Sequence, residues 1–482
     1  MLFAFDIGTT NVKAVVVSDR GEVLAHAERQ NTTLARQPGW QEQNPVHLLQ
    51  NLLDVLVEAW ETVRGKERLH GMVFSSAMHG LIALDNDGNP LTNILLWSDA
   101  RAGKMAQALR NTPEGMNLYE QTGVPIHAMS PLCKIVWLRE NMPALFARTR
   151  RFSDLKSWLW NALTGEFTSD LSVASASGLL NIHQKNWDEQ ALSFAGILPD
   201  ALPLLAPPSH QRTLLPDLAA RIGVPPDTPL FIGASDGALA NMGSDATQPG
   251  QVAITIGTSA AIRTVMPQAV LDKQMRTFCY CIDENRYIVG GASNNGANVI
   301  EWLRNAVFQS HLPASDFIDQ AGQTPPGSDQ LLLLPYLLGE RAPLYLSNIR
   351  GGFFNLSARH TQAHMVRAAL EGVLFNVKMI AEALETHGPI DTLHAGGGFS
   401  RSALWVQILA DIFQKPVIIS DERIDASLLG ALHLAAEVLQ LNIPLHTNNA
   451  RRIEPDKSCA GIYTSAYALF KMQVEKEVTT IT

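Results

Sequence analysis

Residues 2–16 of the chain read LFAFDIGTTNVKAVV, and residues 251–265 read QVAITIGTSAAIRTV. Aligned on Ile7 and Ile256, each stretch has an apolar run, then Ile-Gly-Thr followed by Thr or Ser, then a second apolar run. Two apolar runs joined by a short Gly-Thr turn predict a β-hairpin. The two isoleucines are 249 positions apart, about half the chain, so the pattern favours a duplication. Chance similarity over four residues is the alternative.

The first hairpin has residues suited to binding phosphate. Gly8 lets the backbone approach a ligand closely, and the neighbouring amides and hydroxyls are donors for phosphate oxygens. The predicted phosphate-binding residues are Thr9, Thr10, Asn11 and Lys13. Asp6, at the end of the first strand, is a candidate ligand for Mg²⁺, directly or through water. The second copy has Thr255 at that position, so only the first copy keeps the carboxylate.

The second hairpin turns at Gly257, Thr258 and Ser259. Two such hairpins facing each other would clamp one polyphosphate between two domains. The competing interpretation is a pair of ordinary hairpins in which threonine serves its β propensity. Residues 396–398 read GGG between a predicted strand and a predicted helix, which is not the G-x-G-x-x-G of a dinucleotide-binding fold. They suit either a flat surface against a nucleotide base or a flexible connection.

Three further segments are candidates for chemistry. Asp236 follows an apolar strand and is flanked by glycines, so it suits a base that accepts a proton from a hydroxyl, or a residue that caps the next helix. A ring, an acid and a base occur together at Trp97, Asp99 and Arg101, which suits a sugar or polyol, or a solvated helix start. Met78-His79 follows another predicted strand, and a lone histidine of this kind is more often a packed or surface residue than a ligand.

Composition limits the class of protein. The 482 residues include 37 Lys and Arg against 46 Asp and Glu, a net charge of −9, which argues against nucleic-acid binding. Four cysteines form no disulfide framework, and no signal peptide or membrane-length apolar run is evident, so we expect a cytoplasmic protein with no membrane partner. Alternating strand and helix patterns predict an α/β fold. A polar Pro/Gly turn at 247–250 places the boundary between domains 1–246 and 247–482.

Taken together these segments resemble the FGGY carbohydrate kinases over essentially the whole chain. The stretch MSPLCKIVWLREN at 129–141 fits the first family signature at its constrained positions, and 351–371 resembles the second. Within the second signature Asn355 stands where the family has glycine. The resemblance implies two actin-like (ribonuclease H-like) ATPase domains, duplicated, closing over an interdomain cleft.

The resemblance also implies roles for single residues. ATP and Mg²⁺ are the implied cofactors, with Asp6 as the metal ligand and Asp236 as the catalytic aspartate. The implied ATP-binding residues are Thr9, Thr10, Asn11, Lys13, Gly257, Thr258, Gly397, Gly398 and Arg401. The implied substrate-binding residues are Met78, His79, Trp97, Asp99, Arg101 and Asp236.

Several stretches, among them FSSAMH at 74–79 and GERAP at 339–343, resemble the branch of the family that phosphorylates gluconate. We therefore expect transfer of phosphate from ATP to D-gluconate. A kinase for D-xylulose or another open-chain polyol is the alternative, and a nucleotide-gated binding or chaperone-like protein on the same scaffold is a third hypothesis. A sugar acid needs a partner for its carboxylate, for which the sequence offers several arginines without choosing one. The expected partner is a small sugar or sugar acid, and a homodimer is left open.

Overall fold

The computed structural model describes residues 1–420, 423–445 and 450–481. Its first half is built on a six-stranded sheet in which the N-terminal strand is central. In spatial order the strands are Gln211–Arg212, Leu230–Phe231, Gly71–Ser76, Leu2–Ile7, Asn11–Val17 and Val23–Gln30. The strands Leu2–Ile7, Gly71–Ser76 and Leu230–Phe231 run parallel, and the remaining neighbours pair antiparallel.

The second half repeats this arrangement in a seven-stranded sheet. Its spatial order is Phe278–Cys281, Tyr287–Ser293, Ala260–Met266, Gln251–Ile256, Thr392–Gly396, Val417–Ile419 and Arg451–Ile453. The strand Gln251–Ile256 pairs antiparallel with the next strand of its hairpin and parallel with Thr392–Gly396, as Leu2–Ile7 does with its own neighbours. The shared strand order supports the duplication that the sequence indicates.

Helices cover the two sheets. Those of the first half are Pro45–Val63, Gly103–Arg110, Pro113–Thr122, Pro131–Asn141, Pro143–Arg148, Leu155–Thr164, Leu171–Ser175, Glu189–Ala195, Pro216–Ile222 and Asp236–Gly243. Those of the second are Ala297–Trp302, Ala314–Asp319, Gln362–Glu385, Ala403–Phe413, Ala426–Val438 and Ala460–Ile481. Short two-stranded ribbons complete the fold: Glu42–Gln43 with Ile94–Leu95, Ile82–Leu84 with Arg151–Ser153, Thr168–Asp170 with Leu204–Ala206, Leu180–Asn181 with Asn186–Trp187, and Leu332–Leu334 with Gly352–Phe354.

Local sequence explains where several helices begin. The helix Pro45–Val63 has proline at its first position, and the Asn44 side chain accepts from the backbone N–H groups of Val46 and His47. The helix Pro131–Asn141 repeats this pattern with Ser130 as its cap. These contacts satisfy N–H groups that a helix start otherwise leaves without partners.

Two short helices cross where the two halves of the chain meet. The helix Asp236–Gly243 packs against Ala426–Val438. Apolar side chains of both helices form one hydrophobic core with side chains from one face of the first sheet, among them Leu2 and Val73. Their close approach requires glycine: a Cβ on Gly243 would lie 2.0 Å from the carbonyl oxygen of Ala426, and one on Gly430 would lie 1.9 Å from that of Leu239. A helix late in the chain therefore packs against the first half.

Two other features relate to the expectations from sequence. The four cysteines, all within the described ranges, are buried free thiols. Among the helices in those ranges, none has the length and apolar character needed to cross a membrane. The domain boundary near 247–250 stays a prediction.

Candidate active site

A cavity of about 500 Å³ opens between the two halves. One wall comes from the first half, where Trp97 and Asp99 line it, and the opposite wall comes from the second half. The second-half residues are Thr258, Ser259, Asn294, Leu338, Arg341, Tyr345 and Ser347. Since Thr258 and Ser259 form the tip of the second hairpin, the cavity runs up to the predicted phosphate-binding turn.

Asp236 is the first residue of the helix Asp236–Gly243, and Ser235 before it is the cap, accepting from the backbone N–H of Ala238. The alternative that Asp236 caps this helix is therefore wrong. Its Oδ1 accepts from the N–H of Gly237 at 2.6 Å. Burial and the nearby charge of Asp6 raise the pKa of Asp236 to about 7, a value suited to a general base at neutral pH.

The surroundings of Asp236 come from both halves. A Cβ on Gly237 would lie 2.7 Å from Cε of Met78 and 3.3 Å from Nε of Arg263, so both side chains approach the start of this helix. Among the described residues, Nε of Arg263 has no hydrogen-bond partner. Burial lowers the pKa of Arg263 and the charge of Asp236 opposes that shift. Arg263 is thus a cation from the second half facing the predicted base in the first.

Asp6 is buried at the end of the N-terminal strand. The hydroxyl of Ser75 donates to its Oδ1 at 2.5 Å, yet burial still raises the pKa of Asp6. The nearby charge of Asp425 raises that pKa further. The charge of Lys13 lowers it, without overcoming burial. A buried carboxylate of this kind suits a divalent ion, and Mg²⁺ commonly takes one or two carboxylates with water and substrate phosphate. Within the described ranges no group of three or more His, Cys, Asp or Glu side chains is arranged to hold a metal.

Lys13 connects the first hairpin to the second half of the chain. Its Nζ lies 2.6 Å from Oδ2 of Asp425 and 3.8 Å from Oε1 of Glu28. Partial burial lowers the pKa of Lys13. The hydrogen bond to Asp425 and the charges of Asp425 and Glu28 raise it by more, so the net shift is upward. Asp425 directly precedes the crossing helix Ala426–Val438. The ammonium group of Lys13 has three donors, so its bond to Asp425 leaves others for a phosphate.

Side chains from the first half bind the turn of the first hairpin. The indole N–H of Trp97 donates to the hydroxyl of Thr9 at 3.0 Å, and Gln43 donates to the Thr9 carbonyl. Asn11 donates to Glu28, whereas the side chain of Thr10 is exposed. The hairpin is therefore linked to the cavity wall through Trp97.

The glycines predicted to contact nucleotide have open space around them. Among the described residues, no heavy atom lies within 4 Å of a Cβ placed on Gly257 or on Gly398. Gly397 differs, because its φ is +88° and a Cβ would lie 2.8 Å from the carbonyl oxygen of Ile256. Arg401 ends the 3₁₀ turn that follows and is exposed. Open glycine surface at the carboxyl ends of the strands Gln251–Ile256 and Thr392–Gly396 fits a bound nucleotide.

Asp99 and Arg101 are buried, so the alternative of a solvated helix start is wrong for both. Nε and Nη2 of Arg101 donate to the two oxygens of Asp99 at 2.8 Å each, and Nη2 also donates to Glu42 at 2.6 Å. The guanidinium stacks 3.7 Å from the ring centroid of Trp40. Arg101 lies behind the wall that Trp97 and Asp99 form, and a substrate contact by Arg101 would require its release from both carboxylates.

His79 also lies beside the cavity rather than on its lining. Its Nδ1–H donates to the carbonyl of Ala176 at 2.8 Å, and burial lowers its pKa to about 3, so the ring is neutral. Its φ is +66°, a left-handed conformation uncommon for histidine. Lys134, fully buried, donates to the carbonyls of His79 and Leu96. His79 and Lys134 therefore fix the strand end that carries Met78.

The structure brings two arginines to the cavity that sequence reasoning did not single out. Arg110 lies on the first-half wall and Arg341 on the second-half wall, with His127 and Tyr345 also on the lining. Glu340 and Arg341 directly follow the apolar run LLLLPYLLG, and charged residues after such a run were the available signal.

Comparisons with known proteins agree with this architecture. Residues 1–243 match the model of the FGGY family of carbohydrate kinases, N-terminal domain, and residues 252–438 match that of its C-terminal domain. A gluconokinase of Bacillus subtilis is 37% identical over 442 residues, covering 89% of this chain and 86% of the relative.

Two crystal structures from Lactobacillus acidophilus superpose closely, each at 30% sequence identity. A gluconate kinase gives a TM-score of 0.93 over 98% of both chains. A ligand-bound xylulose kinase gives 0.94 over 99% of this chain and 98% of the other. The chain belongs to the FGGY family of carbohydrate kinases. It is a phosphotransferase that uses ATP to phosphorylate a hydroxyl group of a small sugar substrate.

Proposed function

We propose that this kinase transfers the γ-phosphoryl group of ATP to the 6-hydroxyl of D-gluconate, giving 6-phospho-D-gluconate and ADP. The observation that carries the proposal is the cavity between the halves, whose lining includes the second hairpin and one arginine from each half. A cationic cavity of about 500 Å³ suits a six-carbon acid. Relatives named for gluconate, in sequence and in structure, support the same acceptor.

Asp236 is the base in this proposal. With a pKa of about 7 it accepts the proton of the acceptor hydroxyl as the oxygen attacks the γ-phosphorus. The nearby guanidinium of Arg263 favours the ionised form of Asp236. Phosphoryl transfer needs mostly positioning and charge stabilisation, and Lys13 and Thr258 supply donors for the phosphate oxygens.

Asp6 is the proposed holder of Mg²⁺, oriented by the hydroxyl of Ser75. The ion, when bound, neutralises charge on the phosphates of ATP. Thr9, Thr10, Asn11 and Gly257 are the proposed contacts to the phosphates, and Gly397, Gly398 and Arg401 those to the adenosine. Met78, His79, Trp97, Asp99 and Arg101 form or support the proposed sugar site.

D-xylulose is the second candidate acceptor. The xylulose kinase that superposes with a TM-score of 0.94 favours it, since a closely similar fold accepts a neutral sugar. The cavity separates the two hypotheses, because a neutral ketose gains nothing from a cationic wall and a sugar acid does.

The test is ADP release by the purified chain with Mg-ATP and, in turn, D-gluconate, D-xylulose, L-ribulose, glycerol or no acceptor, with Asp236→Asn as the inactive control. Strong stimulation by gluconate supports the proposal. Stimulation by xylulose alone replaces the substrate and keeps the mechanism. If no acceptor changes the rate of ATP turnover, the result favours the third hypothesis, a nucleotide-gated binding or chaperone-like protein.

A further inference from the structure

The guanidinium of Arg341 is buried in the cavity wall with part of its hydrogen-bonding capacity unused. The residue is 8% exposed, Nη2 donates to the carbonyl of Ser293 at 3.1 Å, and Nε has no partner among the described residues. Its Cζ lies 4.4 Å from the ring centroid of Trp97. Burial lowers the pKa of Arg341, although the charge of Glu340 opposes that shift. A buried donor of this kind is costly unless a ligand accepts from it.

Arg110 presents a similar group on the opposite wall. Its Nη2 donates to the carbonyl of Met275 at 2.7 Å, and its Cζ lies 4.4 Å from the ring centroid of Tyr345. Burial lowers its pKa as well. In the part of the chain that the structure describes, neither Arg110 nor Arg341 has a carboxylate within ion-pair distance. Both cations are positioned by neutral carbonyls and aromatic rings.

Neutral side chains lie between these two cations. The rings of His127 and Tyr345 are 5.7 Å apart, and both line the cavity. Burial, together with the charges of Arg341 and Arg110, lowers the pKa of His127 to about 3, so its ring is uncharged. Burial raises the pKa of Tyr345, although both arginines oppose that shift. The ring of Tyr345 contacts Arg110 and its backbone N–H donates to the carbonyl of Arg341, so the two arginines border one shared region of the cavity.

The Asp99 and Glu340 carboxylates near this region accept hydrogen bonds from other groups. Asp99, an acidic residue on the lining, is bound by both arms of Arg101. The Glu340 carboxylate accepts from Ser293, Asn294, Asn295, Asn376 and the backbone N–H of Arg341, and none of these bonds involves the Arg341 guanidinium. In the described part of the chain, the two arginines on the lining therefore have no carboxylate at ion-pair distance. An anion of the size of a carboxylate would supply one.

We propose that Arg110 and Arg341 together bind the carboxylate of the sugar acid, one from each half of the chain, and so determine selectivity for an acid over a neutral sugar. This rests on the proposed function, since it assigns the carboxylate end of the gluconate acceptor. The forked donors of arginine match the two oxygens of a carboxylate.

The experiment compares D-gluconate with D-gluconamide, which keeps the chain and the hydroxyls and replaces the carboxylate by a neutral amide. Initial rates with Mg-ATP give kcat/KM for both acceptors in the wild type, Arg110→Met and Arg341→Met. Arg110→Lys and Arg341→Lys keep the positive charge but lose the paired donors of the guanidinium. Each is used in place of its methionine variant if circular dichroism shows that the methionine variant does not fold. Arg286→Met is the matched control, since Arg286 is ion-paired to Asp283 outside this cavity.

We expect each methionine variant to lower kcat/KM for gluconate about 10- to 100-fold while changing the gluconamide value less than about 3-fold. Equal losses on both acceptors would overturn the proposal, because they indicate a structural role or contact with the transferring phosphoryl. Unchanged gluconate kinetics would overturn it too. A wild type that phosphorylates xylulose and neither gluconate nor gluconamide would instead refute the proposed function, and this inference with it.

Discussion

The two hairpins share a strand order but differ in chemistry. In the first, Asp6 pairs in parallel register with Ser75, whose hydroxyl donates to the carboxylate. At the equivalent place in the second sheet Thr255 pairs with Gly396, and no charge is present. The second turn is also tighter, since Ile256 pairs with Ala260, whereas the partner of Ile7 is Val12.

In the proposed mechanism, this difference divides the work of phosphoryl transfer between the two copies. The first half keeps the carboxylates and the lysine, which suit a metal ion and a proton. The second half keeps glycine and hydroxyl groups, which let phosphates and a base lie close to the backbone. The proposed site takes groups from both copies, so it is complete only where the two halves meet.

The strongest test of the charged half is Asp236→Asn. We expect kcat to fall about 10³-fold, since the amide cannot accept the proton, with little change in the affinity for ATP. Steady-state rates and nucleotide binding by calorimetry measure the two effects. A variant with near-normal turnover would remove Asp236 from the role of base.

The pH dependence follows from the same residue. A carboxyl with a pKa of about 7 is largely protonated below that pH, so kcat/KM of the wild type should fall about tenfold per pH unit below 7. Its raised pKa also means that ionising Asp236 costs stability as pH rises from about 4 to 7. Asp236→Asn should therefore be more stable than the wild type at pH 8, by up to about 4 kcal/mol, and equal to it near pH 4. Urea unfolding at the two pH values measures this.

Asp6→Asn and Thr255→Val compare equivalent positions of the two copies. The first removes the predicted metal ligand, and we expect kcat to fall about 10²-fold and the Mg²⁺ concentration for half-maximal rate to rise. The second removes a hydroxyl from the uncharged copy, and we expect less than about a 3-fold effect. Magnesium titrations of the rate distinguish them. Equal losses in both variants would contradict the division of roles.

Much of this architecture could be predicted from sequence because the decisive elements are strongly patterned. The hairpins predicted from 2–16 and 251–265 are present, as Leu2–Ile7 with Asn11–Val17 and as Gln251–Ile256 with Ala260–Met266. Asn355, where the family has glycine, adopts a φ of +60°, a left-handed conformation that asparagine tolerates better than most residues. The substitution therefore keeps the local turn.

The contacts of the site were less predictable, because they join residues far apart in sequence. No local pattern places Lys13 on Asp425, or brings Arg341 over Trp97. The sequence predicts that Asp99 and Arg101 bind a sugar. In the structure Arg101 donates to Asp99 and also to Glu42, which lies on a strand distant in sequence. Sequence spacing indicates which groups are near, and only packing determines which of them remain free for a ligand.

The junction of the halves is tested by Gly430→Ala with Gly461→Ala as its control. A methyl on Gly430 would lie 1.9 Å from the carbonyl oxygen of Leu239, so the crossing helices must separate, and we expect a loss of about 3 kcal/mol. On Gly461, also in a helix, the methyl has no described heavy atom within 4 Å, and we expect a gain of up to about 1 kcal/mol. Denaturant titration measures both. A neutral Gly430→Ala would show that the crossing is not tightly packed.

The smallest expected effects compare the turns of the two hairpins, at Gly8 and at Gly257. A Cβ on Gly257 meets open space among the described residues, whereas one on Gly8 would lie 3.3 Å from the carbonyl oxygen of Asn11. Gly257→Ala should therefore keep its stability within about 0.5 kcal/mol and raise the KM for ATP about 10-fold, because the methyl occupies the space proposed for phosphate. Gly8→Ala should raise KM and also cost about 1 kcal/mol of stability. If Gly257→Ala leaves the KM for ATP unchanged, the phosphates do not approach the second hairpin, and the division of work between the copies fails at that point.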